Sequence, residues 1–256
     1  MSRRTWVVAL SLLGLVCGGP QAQAGAAPET RVLRIGTYFV NPPFEYIADG
    51  ATVGFEVDLM NEIAARLGRR PEFVDTRWET MLREMRDGRY DCIVGGITIT
   101  PAREKILAWS TPYMTTTLSL VADAERSPAI RGIADLKGAS VGVQAATTDY
   151  DVAVRMRAEG EIGSVKVYPF DRIEDAMSDL AAGRITAVMK VYPVAAWLAR
   201  KTPGLRIVAQ VPGEPQPLGI GFSKANPGLL AAVDRALAAV KRDGAYARLA
   251  RKWGVP

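Results

Sequence analysis

The sequence predicts an α/β fold with largely parallel sheets gathered into two lobes. Strand-like and helix-like segments alternate from one end to the other, the signature of that class. The alternation also falls into two comparable blocks, with no low-complexity segment or obvious flexible linker between them. Patterning leaves open whether the blocks are divided by simple breaks or interleave along the chain.

Val32–Thr37 reads as the first strand and is followed by the turn-forming Asn41-Pro42-Pro43. Phe55, Leu59, Ile63 and Leu67 recur every four residues and make one apolar helix face, with Gly68 where such a helix ends. Met81, Leu82 and Met85 mark a second helix closed by Gly88, and 91–97 reads as a buried strand. The second block repeats the plan. A strand at Ser140–Gln144 precedes a helix over 149–159, and Asp171 with Glu174 forms a D-x-x-E capping box before Ile173, Met177 and Leu180. Strands follow at 185–191, 205–211 and 218–222. Asn226-Pro227 then opens a strongly amphipathic helix through Leu230, Val233, Leu237 and Val240.

Composition removes several functions. The chain contains no histidine, which excludes Ser-His and Cys-His nucleophilic catalysis and takes away the commonest transition-metal ligand. Residues 1–24 read as a cleaved signal peptide. They combine a basic start at Arg3 and Arg4, an apolar run over 6–16 too short to span a bilayer, and the small residues of Ala22-Gln23-Ala24. Cys17 raises a lipoprotein reading, but Val16 stands where a small residue is expected, so soluble release is the reading taken. Loss of the two arginines lowers the formal charge from +5 to about +3. That scattered excess does not suit nucleic acid. Only Cys92 then remains, within the apolar Cys92-Ile93-Val94, so it reads as a buried inert thiol.

A series of short motifs resembles the family 3 extracellular solute-binding proteins, the amino-acid receptors of bacterial ABC importers. These are Ile35-Gly36-Thr37 with Pro42-Pro43-Phe44-Glu45-Tyr46, then Gly54-Phe55-Glu56-Val57-Asp58-Leu59, Gly88-Arg89-Tyr90-Asp91, and the run from Gly95 through Thr98, Thr100-Pro101 and Arg103 to Ser110-Thr111-Pro112-Tyr113. Asp135-Leu136-Lys137-Gly138, Val141-Gly142-Val143-Gln144, Gly219-Ile220-Gly221 and Lys252-Trp253-Gly254 continue the series. Each is weak alone; their shared order over most of the mature chain carries the resemblance. It implies the type II two-lobed periplasmic binding-protein fold, with two sheets joined by two hinge crossings. Lobe 1 is expected from 31–121 plus 218–256 and lobe 2 from 122–217. A ligand is expected between the lobes, trapped by closure, with the membrane permease reading the closed form.

The resemblance also assigns a pocket. The arginine of the T-x-x-R segment, Arg103, is expected to hold the ligand's α-carboxylate, which suits a permanently charged guanidinium with two parallel donors. Gly96 and Thr98 lie beside it, and Trp78 falls where the family places an aromatic wall. Thr147 and Thr148 match the second lobe's G-T-T segment, with Ala146 in place of its glycine, so a somewhat different loop is expected there. Asn41 stands at a position often aromatic and reads equally as ligand contact or turn former.

One departure bears on the ligand. The aspartate that usually pairs with its ammonium is replaced by Val191, preceded by Lys190, and 185–197 contains no acid. Three resolutions remain open: a ligand without an α-amino group, a ligand with a second anionic group facing Lys190, or an acid supplied from Glu214 or Asp171. Lys190 also reads as a solvated lysine on the other strand face. Uptake of a small carboxylate by a monomer, with neither metal nor organic cofactor and without catalysis, is the leading function. A free accessory protein of the methanol-oxidation type is the alternative. A cyclohexadienyl dehydratase-like enzyme is a more distant one, because Val191 cannot supply the proton its mechanism needs.

Overall fold

The computed structural model describes residues 31–256; the expected signal peptide, its cleavage site and Cys17 lie outside the described residues. Two five-stranded sheets and a small three-stranded meander make up the β-structure. In the first sheet the order is Arg70–Asp75, Val32–Thr37, Cys92–Ile93, Gly221–Phe222, Ala108–Trp109. In the second it is Ser164–Tyr168, Ser140–Gln144, Ala187–Val191, Met114–Asp123, Leu205–Leu218. In each sheet the first three strands run parallel, the fourth runs antiparallel to both its neighbours, and the fifth again follows the direction of the first three, so both sheets are mixed.

The first sheet takes its strands from both ends of the described chain, which answers the question patterning left open: the blocks interleave. The crossings are the long strands Met114–Asp123 and Leu205–Leu218, paired antiparallel from Met114 opposite Leu218 to Asp123 opposite Leu205. Their first-sheet end is pinned where Tyr113 N donates to Leu218 O and Thr98 bridges Leu218. Leu205–Leu218 runs well past the expected end at 211. Register shifts between Ile207 and Ala209 and between Gln210 and Pro215 absorb its irregular stretch, and Leu218 belongs to this strand rather than to the next.

Local signals explain most helices. Phe55–Arg66 buries Phe55, Leu59 and Ile63 on the predicted face. Pro227–Arg242 is capped by Asn226, whose side chain accepts from Leu229 N. Two expectations are corrected. The strand expected over 91–97 stops at Ile93, because Gly95 and Gly96 take φ of 159° and 60° and turn the chain away from the ladder. The D-x-x-E box does not form: Phe170–Arg172 is a 3-10 turn, and the helix Ile173–Ala181 starts after Arg172 with no side-chain cap. Leu33, Ile35, Phe55 and Met60 about the first sheet, and Val121, Val141, Val188 and Met189 about the second, are essentially removed from water and belong to the apolar core that stabilises the fold. Cys92 is buried as expected, and burial pushes its thiol pKa upward. Among the described residues no helix is long and apolar enough to cross a membrane.

Candidate functional site

All nine residues singled out from sequence line one cleft between the two sheets: Asn41, Trp78, Gly96, Thr98, Arg103, Thr147, Thr148, Lys190 and Val191. About 330 Å³ of atom-free space lies in this cleft, part of it open to solvent.

Arg103 sits in the helix Pro101–Ile106, whose first turn is fixed by Thr100: its hydroxyl accepts from Arg103 N at 3.2 Å. One guanidinium nitrogen, Nη1, donates to Thr98 O at 2.8 Å, and the guanidinium carbon lies 4.8 Å from the Trp78 ring centroid. No carboxylate among the described residues comes within ion-pair distance, and burial lowers the arginine's pKa. A partly buried guanidinium with unused donors and no counter-ion is an anion site.

The opposite wall comes from the second sheet. Thr147 caps the helix Thr148–Ala158: its Oγ1 accepts from Tyr150 N and donates to Gln144 O at 2.7 Å. Ala146 before it adopts φ 59°, the left-handed backbone that glycine favours, so the replacement keeps a glycine-like turn. The Thr98 and Thr148 hydroxyls donate to the same atom, Oε1 of the buried Gln216, at 2.9 and 2.7 Å. Gln216 lies on a crossing strand and was not singled out from sequence; nothing in its local pattern distinguishes it. Asn41 is more than a turn former, since its Nδ2 donates to Glu45 Oε1 at 3.0 Å and to Gly95 O at 3.3 Å. Glu45 beneath it is fully buried, and burial, then the neighbouring Glu56, pushes its carboxyl pKa well up.

Three aromatic rings close the cleft. Trp78 stacks on Phe170 at 5.1 Å, and Tyr38 meets Phe170 edge-on at 4.7 Å. Tyr38 and Phe170 were not foreseen. Phe170 lies in an irregular turn without periodicity, and Gln144 Nε2 donates to its carbonyl to hold that turn in place.

Lys190 is not a solvated lysine: 5% exposed, it faces the cleft with Nζ 3.7 Å from Asp149 Oδ1. Burial pulls its pKa down and Asp149 opposes that shift. Val191 beside it is buried and lines the same wall. Neither acid proposed from sequence fills the gap. Glu214 pairs with Arg155 and is not among the cleft's lining residues, and Asp171 is exposed on an adjoining groove, with Asp75 and Glu79, that shares Tyr38, Trp78 and Phe170 with the cleft. The acid in the cleft is Asp149, read from sequence only as the start of a helix. Among the described residues no cluster of His, Cys, Asp or Glu could hold a metal ion.

This architecture is widely shared. The described chain superposes on an ancestral arginine-binding protein bound to arginine with a TM-score of 0.79 and 32% identity, covering 87% of this chain and 97% of that one. An ancestral amino acid-binding protein, a precursor of cyclohexadienyl dehydratase, matches with a TM-score of 0.77 and 31% identity over 87% and 94% of the two chains. In sequence, the L-cystine-binding protein TcyJ of Escherichia coli (strain K12) is 31% identical over 226 residues, 88% of this chain and 83% of its own. The family model for bacterial extracellular solute-binding proteins, family 3, matches residues 33–256. With the two mixed sheets, the paired crossings and the cleft between them, that match places the chain in this family: it is a member of the bacterial extracellular solute-binding proteins, family 3.

Proposed function

We propose that this protein is the exported receptor of an ABC importer, a monomer that captures one small carboxylate-bearing molecule between its lobes and presents the closed form to a permease. The lobes are taken as 31–121 plus 218–256 and 122–217, and residues 1–24 as the signal that directs export. The single observation that carries the reading is Arg103, a guanidinium aimed into the cleft with free donors and no protein carboxylate to neutralise it. A ligand carboxylate supplies the missing charge through two parallel hydrogen bonds. Closure gains Trp78 against Phe170, and Trp78 Nε1 donating to Ala146 O at 3.1 Å; both contacts join residues of opposite lobes. A ligand that bridges the walls favours this closed arrangement by its differential affinity for it.

Relatives named for their cargo support transport: they include the L-cystine-binding protein TcyJ and the lysine/arginine/ornithine-binding periplasmic protein of Escherichia coli. We read the site as binding without chemistry, since Val191 occupies the position where the dehydratase mechanism places its acid. A crystal structure with a bound carboxylate tests the proposal. The carboxylate seated on Arg103 supports it, and a ligand held only in the outer groove beside Asp75 and Glu79 refutes it.

A further inference from the structure

The cleft's charges do not balance. Its ionisable lining groups other than Tyr38 are Arg103, Lys190 and Asp149. Asp149 is 1% exposed and already committed: Oδ1 faces Lys190 Nζ at 3.7 Å and Oδ2 accepts from Gln144 N at 3.3 Å. That leaves the cleft with one net positive charge, on Arg103. An ordinary amino acid is a zwitterion. Its carboxylate would neutralise Arg103, but its ammonium would enter a buried wall made of Lys190 and the methyls of Val191, with no uncommitted carboxylate to receive it.

The nearby carbonyls are partly taken: Gly95 O accepts from both Tyr38 OH and Asn41 Nδ2, and Thr98 O has one lone pair engaged by Arg103. None of these neutral oxygens replaces a carboxylate opposite a buried ammonium. Lys190 has three N–H donors, of which Asp149 engages at most two.

Building on the carboxylate-binding role given to Arg103, we propose that the ligand is a net-anionic organic acid without an α-ammonium. Its carboxylate meets Arg103, and a second oxygen acceptor meets Lys190: the carbonyl of a 2-oxo acid or the far carboxylate of a short dicarboxylate. Substituting a carbonyl oxygen for the ammonium turns a repelled cation into a hydrogen-bond acceptor at the same wall. A dicarboxylate does so with a full negative charge.

Matched pairs test this in the mature protein by titration calorimetry and thermal shift. They are L-glutamate against 2-oxoglutarate, L-phenylalanine against phenylpyruvate, and L-leucine against 4-methyl-2-oxopentanoate, with malonate, succinate and glutarate alongside. The expected result is that at least one oxo acid or dicarboxylate binds, and binds at least tenfold more tightly than its amino counterpart where one exists. Lys190→Met should weaken that probe at least tenfold. Because Lys190→Met alone leaves Asp149 buried without its partner, Lys190→Met/Asp149→Asn is measured beside it and should show the same loss while keeping a cooperative melt. Val191→Asp should shift preference toward the amino acid of each pair.

Tighter binding of the amino acids, or undiminished binding in a folded Lys190→Met/Asp149→Asn protein, overturns the inference. If the amino acids bind and Arg103→Ala abolishes that binding, the carboxylate role of Arg103 stands and only the ligand class is wrong. If neither panel binds, both readings fall.

Discussion

Trp78 and Phe170, contributed by opposite walls of the cleft, stack at a centroid separation of 5.1 Å with their planes 22° apart. Such a pair contributes about 0.5–1.5 kcal/mol beyond the area it buries. In the proposed closure this pair forms as the lobes meet, so its energy adds to ligand affinity. Phe170→Ala should weaken ligand binding by about 1 kcal/mol, roughly fivefold. It should also reduce the ligand-induced change in tryptophan fluorescence. Unchanged affinity by titration calorimetry would show that the stack is incidental to closure.

Ala146 holds a left-handed backbone beside the cleft, a conformation that costs a residue with a Cβ about 1–2 kcal/mol. Glycine removes that cost but gives the unfolded chain more freedom, worth about 0.4–1 kcal/mol in the opposite direction. Ala146→Gly should therefore raise stability by about 0.5–1 kcal/mol in urea unfolding. The carbonyl that accepts from Trp78 is backbone and survives the change. A loss of stability would mean that the alanine methyl makes a contact outweighing the strain.

Gln216 joins the crossing strand to both walls by accepting from Thr98 and Thr148 through one oxygen. Gln216→Met preserves length but leaves two hydroxyls without that acceptor. Stability should fall by about 1–3 kcal/mol in urea, the cost of buried polar groups losing a partner. A variant as stable as the parent would show that both hydroxyls rotate to other acceptors.

Glu84 accepts from Tyr90 OH and from Thr76 Oγ1 at 2.8 Å, and pairs with Arg89 at 3.0 Å. The Tyr90 hydrogen bond leads the effects that lower its pKa to about 2. A depressed carboxyl stabilises the fold above its unfolded pKa of about 4.3, and that contribution is lost as pH falls toward 2. The stability difference between the parent and Glu84→Gln should therefore be full at pH 6 and close steadily below about pH 4. Melts at several pH values check this, and a gap independent of pH would contradict it.

The sequence made the frame of the fold legible because its signals are local. Every-fourth spacing located Phe55–Arg66, Asn226-Pro227 located the start of the long helix, and short strand-like runs opened the two blocks at 32–37 and 140–144. What stayed hidden depends on distant partners. Met114–Asp123 is buried on nearly all sides, so it shows no alternation to mark it. The helix Ala245–Trp253 is tied down partly by Asp58, which accepts from Lys252 and Trp253 across nearly the whole chain.

The site divided in the same way. Arg103, Thr98, Trp78 and Lys190 were named because motif order places them, and they do share one cleft. Gln216, Phe170, Tyr38 and Asp149 join them only through tertiary packing. Asp149 looks like an ordinary first-turn acid until Lys190 is brought to 3.7 Å.

The central claim is that Arg103 receives the ligand's carboxylate. The most direct measurement is a thermal-shift comparison of the parent and Arg103→Ala against a common panel of amino acids, 2-oxo acids and short dicarboxylates, since bound ligand raises the melting temperature by mass action. The parent should shift with at least one carboxylate. Arg103→Ala, folded and melting cooperatively, should lose about 1.5–3 kcal/mol of that binding, a ten- to hundredfold weaker midpoint. The same ligand shifting both proteins at the same midpoint would contradict the claim.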